Sequence, residues 1–462
     1  MRIAVIGLAR SGFAAAQLAA TLGYQVKVSD NGSSAHAHPG AEERVQRLAE
    51  QLRARGVWVE LGGHTTACIQ GVDLVVTSPG VPDHAAPLQW ARTCGIPVIS
   101  EVEFAVRHTT ARIIAITGTN GKTTTTALTG HLLATVGMPV VVAGNIGQAL
   151  SGVVEHTTSQ HTLVLEISSF QLETVATFKP YVAVWLNLTP DHLDRYGTME
   201  AYAAAKGRIF MNMTRGEWAV IWQHDRAITA PYLNGRDVQR VWLDERGEWR
   251  ASREEPCGAL LDGTELVTVF NGIRQSHGTL AATRLRGAHN TVNMLAACAV
   301  ARILHIPSHL VSEGLRTFAG LPHRLERVAE GRGIVFINDS KATNIDAMLK
   351  GLDATPAPLV LLAGGYDKGG DFTAAVPLVK EKAVRVVAFG SAREKVAAAL
   401  RDAAPVVFAD SMADAVAKAA EGAAPGTSVL LSPGCASYDM YNDFEERGND
   451  FRRCAREYLE RL

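Results

Sequence analysis

Residues 116–124 read Ile-Thr-Gly-Thr-Asn-Gly-Lys-Thr-Thr, an order suited to holding phosphate. Gly118 and Gly121 allow a tight turn between a strand and a helix. The amides of such a loop, with the helix start behind it, point at anionic oxygens. Lys122 can reach the outer phosphates and the Thr123 hydroxyl can hold Mg²⁺. Thr119, Asn120 and Thr124 complete the cradle. The usual pattern has glycine where Ile116 stands, so a plain glycine-rich turn is the competing reading.

Other residues could serve the same chemistry. Glu166 ends the apolar run Leu163-Val164-Leu165, where a carboxylate beside a phosphate loop can bind Mg²⁺ directly or through water. A strand-end acid satisfied within the fold is the alternative. Asp191, His192, Asp194 and Arg195 follow another apolar run, and a neutral imidazole can ligate a metal. Lys206 comes after three alanines, a setting that by itself reads as a solvated helix position. Gly7–Gly12 resembles a dinucleotide-binding turn with Ala9 for the middle glycine, and Asp30 is spaced to contact a ribose or base. A nucleotide phosphate on that turn and simple strand-to-helix packing both remain open. Asn338–Asn344 includes Asp339, Lys341 and Thr343. It allows turn and cap chemistry, or a lysine that takes a carboxylate or phosphate. Gly364–Lys368 and Ser432–Ser437 end two further strand-like runs. Three polar loops at one edge of a parallel sheet suggest a ligand crevice.

Alternating strand-like and helix-like runs must position these residues. Segments 1–109, 110–320 and 321–462 each show that rhythm, which predicts an α/β protein of three domains with helix-covered sheets. Helices are expected over 13–22, 124–136, 291–304 (entered through Asn290) and 444–462. Residues 236–269 read as β-hairpins. The 462 residues are 47% apolar and 20% charged, an ordinary globular composition. Lys plus Arg number 45 against 46 Asp plus Glu, which gives no electrostatic footprint for nucleic acid. The six cysteines form no Cys-x-x-Cys pair, so zinc and disulfide frameworks are not expected. Gly7, Arg10, Ser11 and Gly12 break the faint likeness of the first twenty residues to a secretion signal. No run reaches the length of a membrane span. A cytoplasmic location and a monomer are the expectation.

Together these motifs resemble the Mur ligases, ATP-dependent amide-forming enzymes of peptidoglycan synthesis, over nearly the whole chain. Thr77–Val81, Gly144–Gly147, His289-Asn290, Gly320–Arg324 and Ser432–Phe444 belong to the likeness. The family's loop is Gly-Thr-Asn-Gly-Lys-Thr, which accounts for Ile116. Asn338–Asn344 and Ser432–Ser437 point to the D-glutamate-adding member. That resemblance implies an N-terminal Rossmann-like domain for the UDP-linked substrate, a central P-loop ATPase-like domain with a mixed sheet, and a C-terminal Rossmann-like domain for the amino acid. It implies ligation of D-glutamate to UDP-N-acetylmuramoyl-L-alanine through an acyl phosphate, with ATP and two Mg²⁺ ions. Thr123, Glu166 and His192 would bind metal, and Lys206 would be carbamylated as a further ligand. Asn290, Arg324 and Asp339 match nucleotide contacts. Leu8, Ala9, Arg10, Ser11 and Asp30 match the uridine diphosphate site, and Asn145 and Ser168 the muramoyl-alanine part. Lys341, Thr343, Lys368, Ser437 and Phe444 match the D-glutamate pocket. Folylpolyglutamate synthase shares the phosphate loop but lacks the domain before it. A non-catalytic nucleotide-binding regulator would have lost Lys122, Glu166, His192 or Lys206.

Overall fold

In a computed structural model, which describes residues 1–32, 41–285 and 287–461, the apolar runs form three sheets. The chain divides into two compact units, Met1–Phe318 with two of the sheets and Ala319–Leu462 with the third. The first sheet contains β1 (Arg2–Ile6), β2 (Gln25–Asp30), β3 (Trp58–Leu61), β4 (Leu74–Thr77) and β5 (Val98–Ser100). All are parallel, in the order 3-2-1-4-5. Ile3 to Ile6 are wholly buried, because helices cover both faces of such a sheet.

The central sheet contains β6 (Arg112–Thr117), β7 (Val140–Gly144), β8 (Thr162–Glu166), β9 (Val182–Trp185), β10 (Trp218–Trp222), β11 (Gln239–Asp244), β12 (Cys257–Asp262), β13 (Glu265–Phe270) and β14 (Ile273–Thr279). Their order is 14-13-12-11-10-9-6-8-7. β6 lies between β8 and β9, all parallel, so the loops after these strands leave from one edge. The helix Lys122–Thr135 follows β6 and packs beside the helix Ala288–Ile303, which is buried almost all round. Alanine and Cys298 fill its middle and let it sit close to its neighbours.

Two expectations change here. β11 pairs in parallel with β10, and the hairpins of this sheet begin at β12, joining β12 to β13 and β13 to β14. Short apolar runs have the same period in either setting, and a parallel partner reached by a crossover leaves no local signal. The helix expected over 291–304, entered through Asn290, starts earlier, after an N-cap at Gly287.

The third sheet contains β15 (Glu326–Gly331), β16 (Ile334–Asn338), β17 (Leu359–Gly364), β18 (Ala383–Phe389), β19 (Val406–Ala409) and β20 (Ser428–Leu431), in the order 15-16-20-17-18-19. β16, β20 and β17 are adjacent and parallel. The polar loops after them therefore emerge side by side.

The short helix Glu101–Val106 ties the first sheet to the second. The buried Glu103 carboxylate accepts from the amides of Ala176, Thr177 and Phe178 at 2.9–3.0 Å, from the Thr177 hydroxyl at 2.6 Å and from Arg107 Nε at 2.9 Å. Burial pushes its pKa up. Hydrogen bonds from Thr177, Ala176 and Arg107 outweigh that, and the group stays below the usual glutamate value. Glu103→Ala strips three amides of their acceptor and should cost about 2–3 kcal/mol in urea unfolding at pH 7. Because the folded pKa is depressed, the contribution is present above the unfolded value and fades as pH falls through the folded one. A loss of less than about 0.5 kcal/mol at pH 7 would show that these bonds do not hold the junction.

Candidate active site

The phosphate-type loop is set by its neighbours. Ile116 is fully buried in β6, paired with Glu166 on one side and Val184 on the other, so a core strand position stands where the common pattern has glycine. Gly118 has φ +152°, and a Cβ there would lie 3.0 Å from Leu186 Cβ. Gly121 has φ +83°, and its Cβ would come within 2.3 Å of Asn293 Oδ1. Only glycine fits either position. Asn187, just past β9, fastens the loop: its carbonyl accepts from Thr119 N at 2.8 Å and its Oδ1 from Asn120 N at 2.8 Å. Its Nδ2 donates back to Asn120 O at 3.1 Å.

Positive charge concentrates at one carbonyl. Lys122 Nζ donates to Gly118 O at 2.9 Å and to Thr119 O at 2.8 Å. Lys206 Nζ also donates to Gly118 O, at 2.9 Å, and lies 4.6 Å from the centre of the Tyr202 ring. Lys206 is 1% exposed, so the solvated reading of its helix position fails. Burial pushes its pKa well below the ordinary lysine value. The Lys122 charge adds to that, while Asp191 and Glu166 oppose it. Glu166, also buried, accepts from Asn145 Nδ2 at 2.7 Å through Oε1, while its buried Oε2 has no hydrogen-bond partner. Thr123 stands in the first turn of the loop's helix, with Thr124 buried behind it.

His192 has φ +54° and rests on Phe170, ring centres 4.8 Å apart, with Nε2 3.6 Å from Asp191 Oδ2. Arg195 is bound by both oxygens of Glu173, at 2.9 and 2.5 Å. The Asp194 side chain lies outside the described residues. Among the described residues no three His, Cys, Asp or Glu side chains converge into a metal cluster. A hard cation here would be met by Thr123, Glu166 and phosphate oxygens, a set that suits Mg²⁺ better than zinc.

The N-terminal turn is closed by Asp30. Its carboxylate accepts from Leu8 N at 2.6 Å and Gly32 N at 2.8 Å, so it is already engaged within the fold. The Leu8 side chain belongs to the core, whereas Ala9 and Arg10 are exposed and Ser11 is half-buried. Arg10 Nη2 donates to Asn145 O at 3.2 Å, which joins this turn to the loop after β7, whose Asn145 side chain holds Glu166. Ser168 caps the helix Ser169–Leu172 in a capping box with Gln171, so its hydroxyl is bonded within the turn.

Asn290 is buried at the start of its helix. Asn293 Nδ2 donates to Asn290 Oδ1 at 3.0 Å, and Asn293 Oδ1 accepts from Thr125 at 3.1 Å. A buried amide thus links the phosphate-loop helix to Asn290. Asn187 and Asn293 escaped the sequence reading. Their signal was faint: a polar residue between Leu186 and Leu188, and one inside an otherwise apolar helix.

In the second unit Asp339 is buried, accepting from Ser432 Oγ at 2.8 Å and Leu325 N at 3.3 Å. Burial lifts its pKa to about 7 against the pull of Ser432 and Arg324. Lys341 Nζ is 5.7 Å from the centre of the Phe444 ring, and the exposed Lys368 is 5.7 Å from that of Tyr438. Thr343 is half-buried in the same loop as Lys341. Ser437 is 1% exposed, and its hydroxyl has no hydrogen-bond partner. The structure therefore groups Lys122, Lys206, Glu166 and Asn145 in the first unit, and Asp339, Lys341, Lys368 and Ser437 on adjoining loops of the second, with Phe444 at the start of a helix beside Lys341.

Three family models match the chain: the MurD-like N-terminal domain of Mur ligases over residues 1–100, the Mur ligase middle domain over 116–301, and the Mur ligase glutamate ligase domain over 323–435. The UDP-N-acetylmuramoylalanine–D-glutamate ligase of Pelotomaculum thermopropionicum is 42% identical over 453 residues, covering 98% of this chain and 96% of that one. The enzyme of the same name from Salinibacter ruber is 42% identical over 463 residues, covering 98% and 97%. Among solved structures, the MurF ligase of Thermotoga maritima in complex with ADP superposes with a TM-score of 0.58 at 14% identity, covering 95% of each chain. The UDP-N-acetylmuramate–alanine ligase MurC of Thermotoga maritima gives 0.57 at 19% identity over the full length of both. These two support the three-domain fold. With relatives this similar along almost its entire length, the chain belongs to the Mur ligase family, on the branch of the UDP-N-acetylmuramoylalanine–D-glutamate ligases.

Proposed function

We propose that this protein joins D-glutamate to UDP-N-acetylmuramoyl-L-alanine with hydrolysis of ATP to ADP and phosphate, a step in making peptidoglycan precursors. One observation carries most weight beside the relatives' names: the side-chain nitrogens of two lysines meet at Gly118 O, in a loop whose glycines leave room for phosphate. In this reading residues 1–109 take the UDP-linked substrate, 110–320 the ATP and 321–462 the amino acid. The enzyme works as a monomer in the cytoplasm.

A carboxylate is a poor acyl donor. Transfer of the γ-phosphoryl group to it gives an acyl phosphate and ADP; the amine of D-glutamate then attacks the acyl carbon, and phosphate leaves as the amide forms. Lys122 supplies charge where phosphoryl oxygens become more negative. Thr123, Glu166 through its free Oε2, and His192 would hold two Mg²⁺ ions, which when bound neutralise phosphate charge. Burial beside the Lys122 charge favours the neutral amine of Lys206, the form that can add CO₂ and release a proton to become a carbamate anion. Asn290, Arg324 and Asp339 serve the nucleotide. Arg10, Asn145 and Ser168 face the UDP-linked substrate. Lys341, Thr343, Lys368, Ser437 and Phe444 form the acceptor pocket, and the unpartnered Ser437 hydroxyl supports a polar ligand there.

Phosphate release with UDP-N-acetylmuramoyl-L-alanine and ATP should require D-glutamate and Mg²⁺. Equal turnover of L-glutamate, or turnover only with diaminopimelate, would overturn the assignment. Lys122→Ala and Lys206→Ala should each lower kcat by roughly a hundredfold or more while circular dichroism stays unchanged. Near-normal turnover of either would remove that residue from the chemistry. Lys368→Ala should raise the KM for D-glutamate about ten- to a hundredfold, the worth of one charge-assisted contact, and leave the KM for ATP alone. The opposite pattern would put the acceptor pocket on another loop.

A further inference from the structure

We propose that Arg447 is the positioning residue of the acceptor pocket, a buried clamp that sets the spacing of the three loops carrying it. The inference rests on the reading of those loops given above. Arg447 lies on the helix Phe444–Glu460 and is fully buried. Among the described residues no carboxylate forms an ion pair with it; its partners are main-chain carbonyls and one hydroxyl. Nε donates to Ser340 Oγ at 2.9 Å and Nη2 to Ser340 O at 2.8 Å. Nη2 also donates to Cys435 O at 3.1 Å, and Nη1 to Ala436 O at 3.0 Å. Ser340 passes the constraint on, since its hydroxyl donates to Phe444 O at 2.8 Å.

The third loop is held through Ala436, whose carbonyl also accepts from Tyr366 N at 2.9 Å. A Cβ on Gly365 would sit 2.4 Å from that carbonyl and 3.0 Å from Arg447 Nη1, so the Gly365 backbone is pressed against the clamp. Lys341, Lys368, Ser437 and Phe444 are each within three residues of a group so fixed.

A buried guanidinium with no carboxylate bonded to it is costly, and an apolar residue would pack a core more cheaply. What the guanidinium offers is a rigid planar fork that collects several acceptors at fixed angles, which a lysine ammonium cannot do. Burial draws its pKa down to about 10, still far enough above neutrality to keep the charge. That charge also adds to the field felt by an incoming dicarboxylate, without Arg447 touching it.

The test is steady-state kinetics of the full-length protein with Arg447→Lys, which keeps the charge and loses the fork. The KM for D-glutamate should rise about tenfold while the KM for the UDP-linked substrate stays within about twofold of the parent. A D-glutamate KM within about twofold of the parent, or a matched rise in both constants, overturns the proposal. If Arg447→Lys does not fold by circular dichroism, Ser340→Ala decides: a D-glutamate KM raised about threefold or more supports the clamp, and an unchanged one overturns it. A parent protein that does not turn over D-glutamate at all would instead overturn the functional reading and this inference with it.

Discussion

The structure of the first unit turns on one electrostatic arrangement. The side-chain nitrogens of Lys122 and Lys206 share the carbonyl of Gly118, and Lys206 is almost wholly out of water. The carboxylate charges that Lys206 feels, Glu166 and Asp191, oppose the effect of burial without cancelling it. Phosphate oxygens brought to Lys122 would neutralise its charge beside that buried amine. The flanking features follow from it. The two glycines keep side chains out of the space, and Asn187 holds the loop so that its carbonyls stay aimed at the lysines.

Sheet order does the rest of the positioning. With β6 between β8 and β9, the phosphate-type loop, the Glu166 end and Asn187 fall at one edge without any long-range device. The second unit repeats the logic with β16, β20 and β17. There the loops are longer, and strand order alone leaves them loose. Arg447 and Ser340 supply the missing constraint through hydrogen bonds to main chain.

Much of this was legible in the sequence, for physical reasons that differ by residue. The strand-to-helix pattern at 113–136 is local, so the loop was readable even with Ile116 in the glycine position. The α/β rhythm predicted parallel sheets, and three sheets are found. From the local pattern alone Lys206 was not legible, and only the family resemblance singled it out: three preceding alanines look the same on a solvent face as on a packed one, and tertiary contact with Gly118 O distinguishes them. β11 was misread because its parallel partner is supplied by a crossover. Arg447 could have been found. It falls between Phe444 and Phe451 on the apolar stripe of an amphipathic helix, and a charge on that stripe signals a buried partner set. Asp30 was read as a ribose or base contact, and Ser168 entered through the resemblance alone. The structure adds that both are bonded within their own turns.

The central claim is that the loop around Lys122 is kept for phosphate and the unpartnered Glu166 Oε2 for the cation. The most direct measurement is a crystal structure of the protein with Mg²⁺ and a non-hydrolysable ATP analogue. The account predicts that Lys122 Nζ leaves Gly118 O for a phosphate oxygen, with the cation reached by Thr123 and by Glu166 Oε2. A nucleotide bound elsewhere, with Lys122 still on the loop carbonyls and Glu166 Oε2 still without a partner, would contradict it.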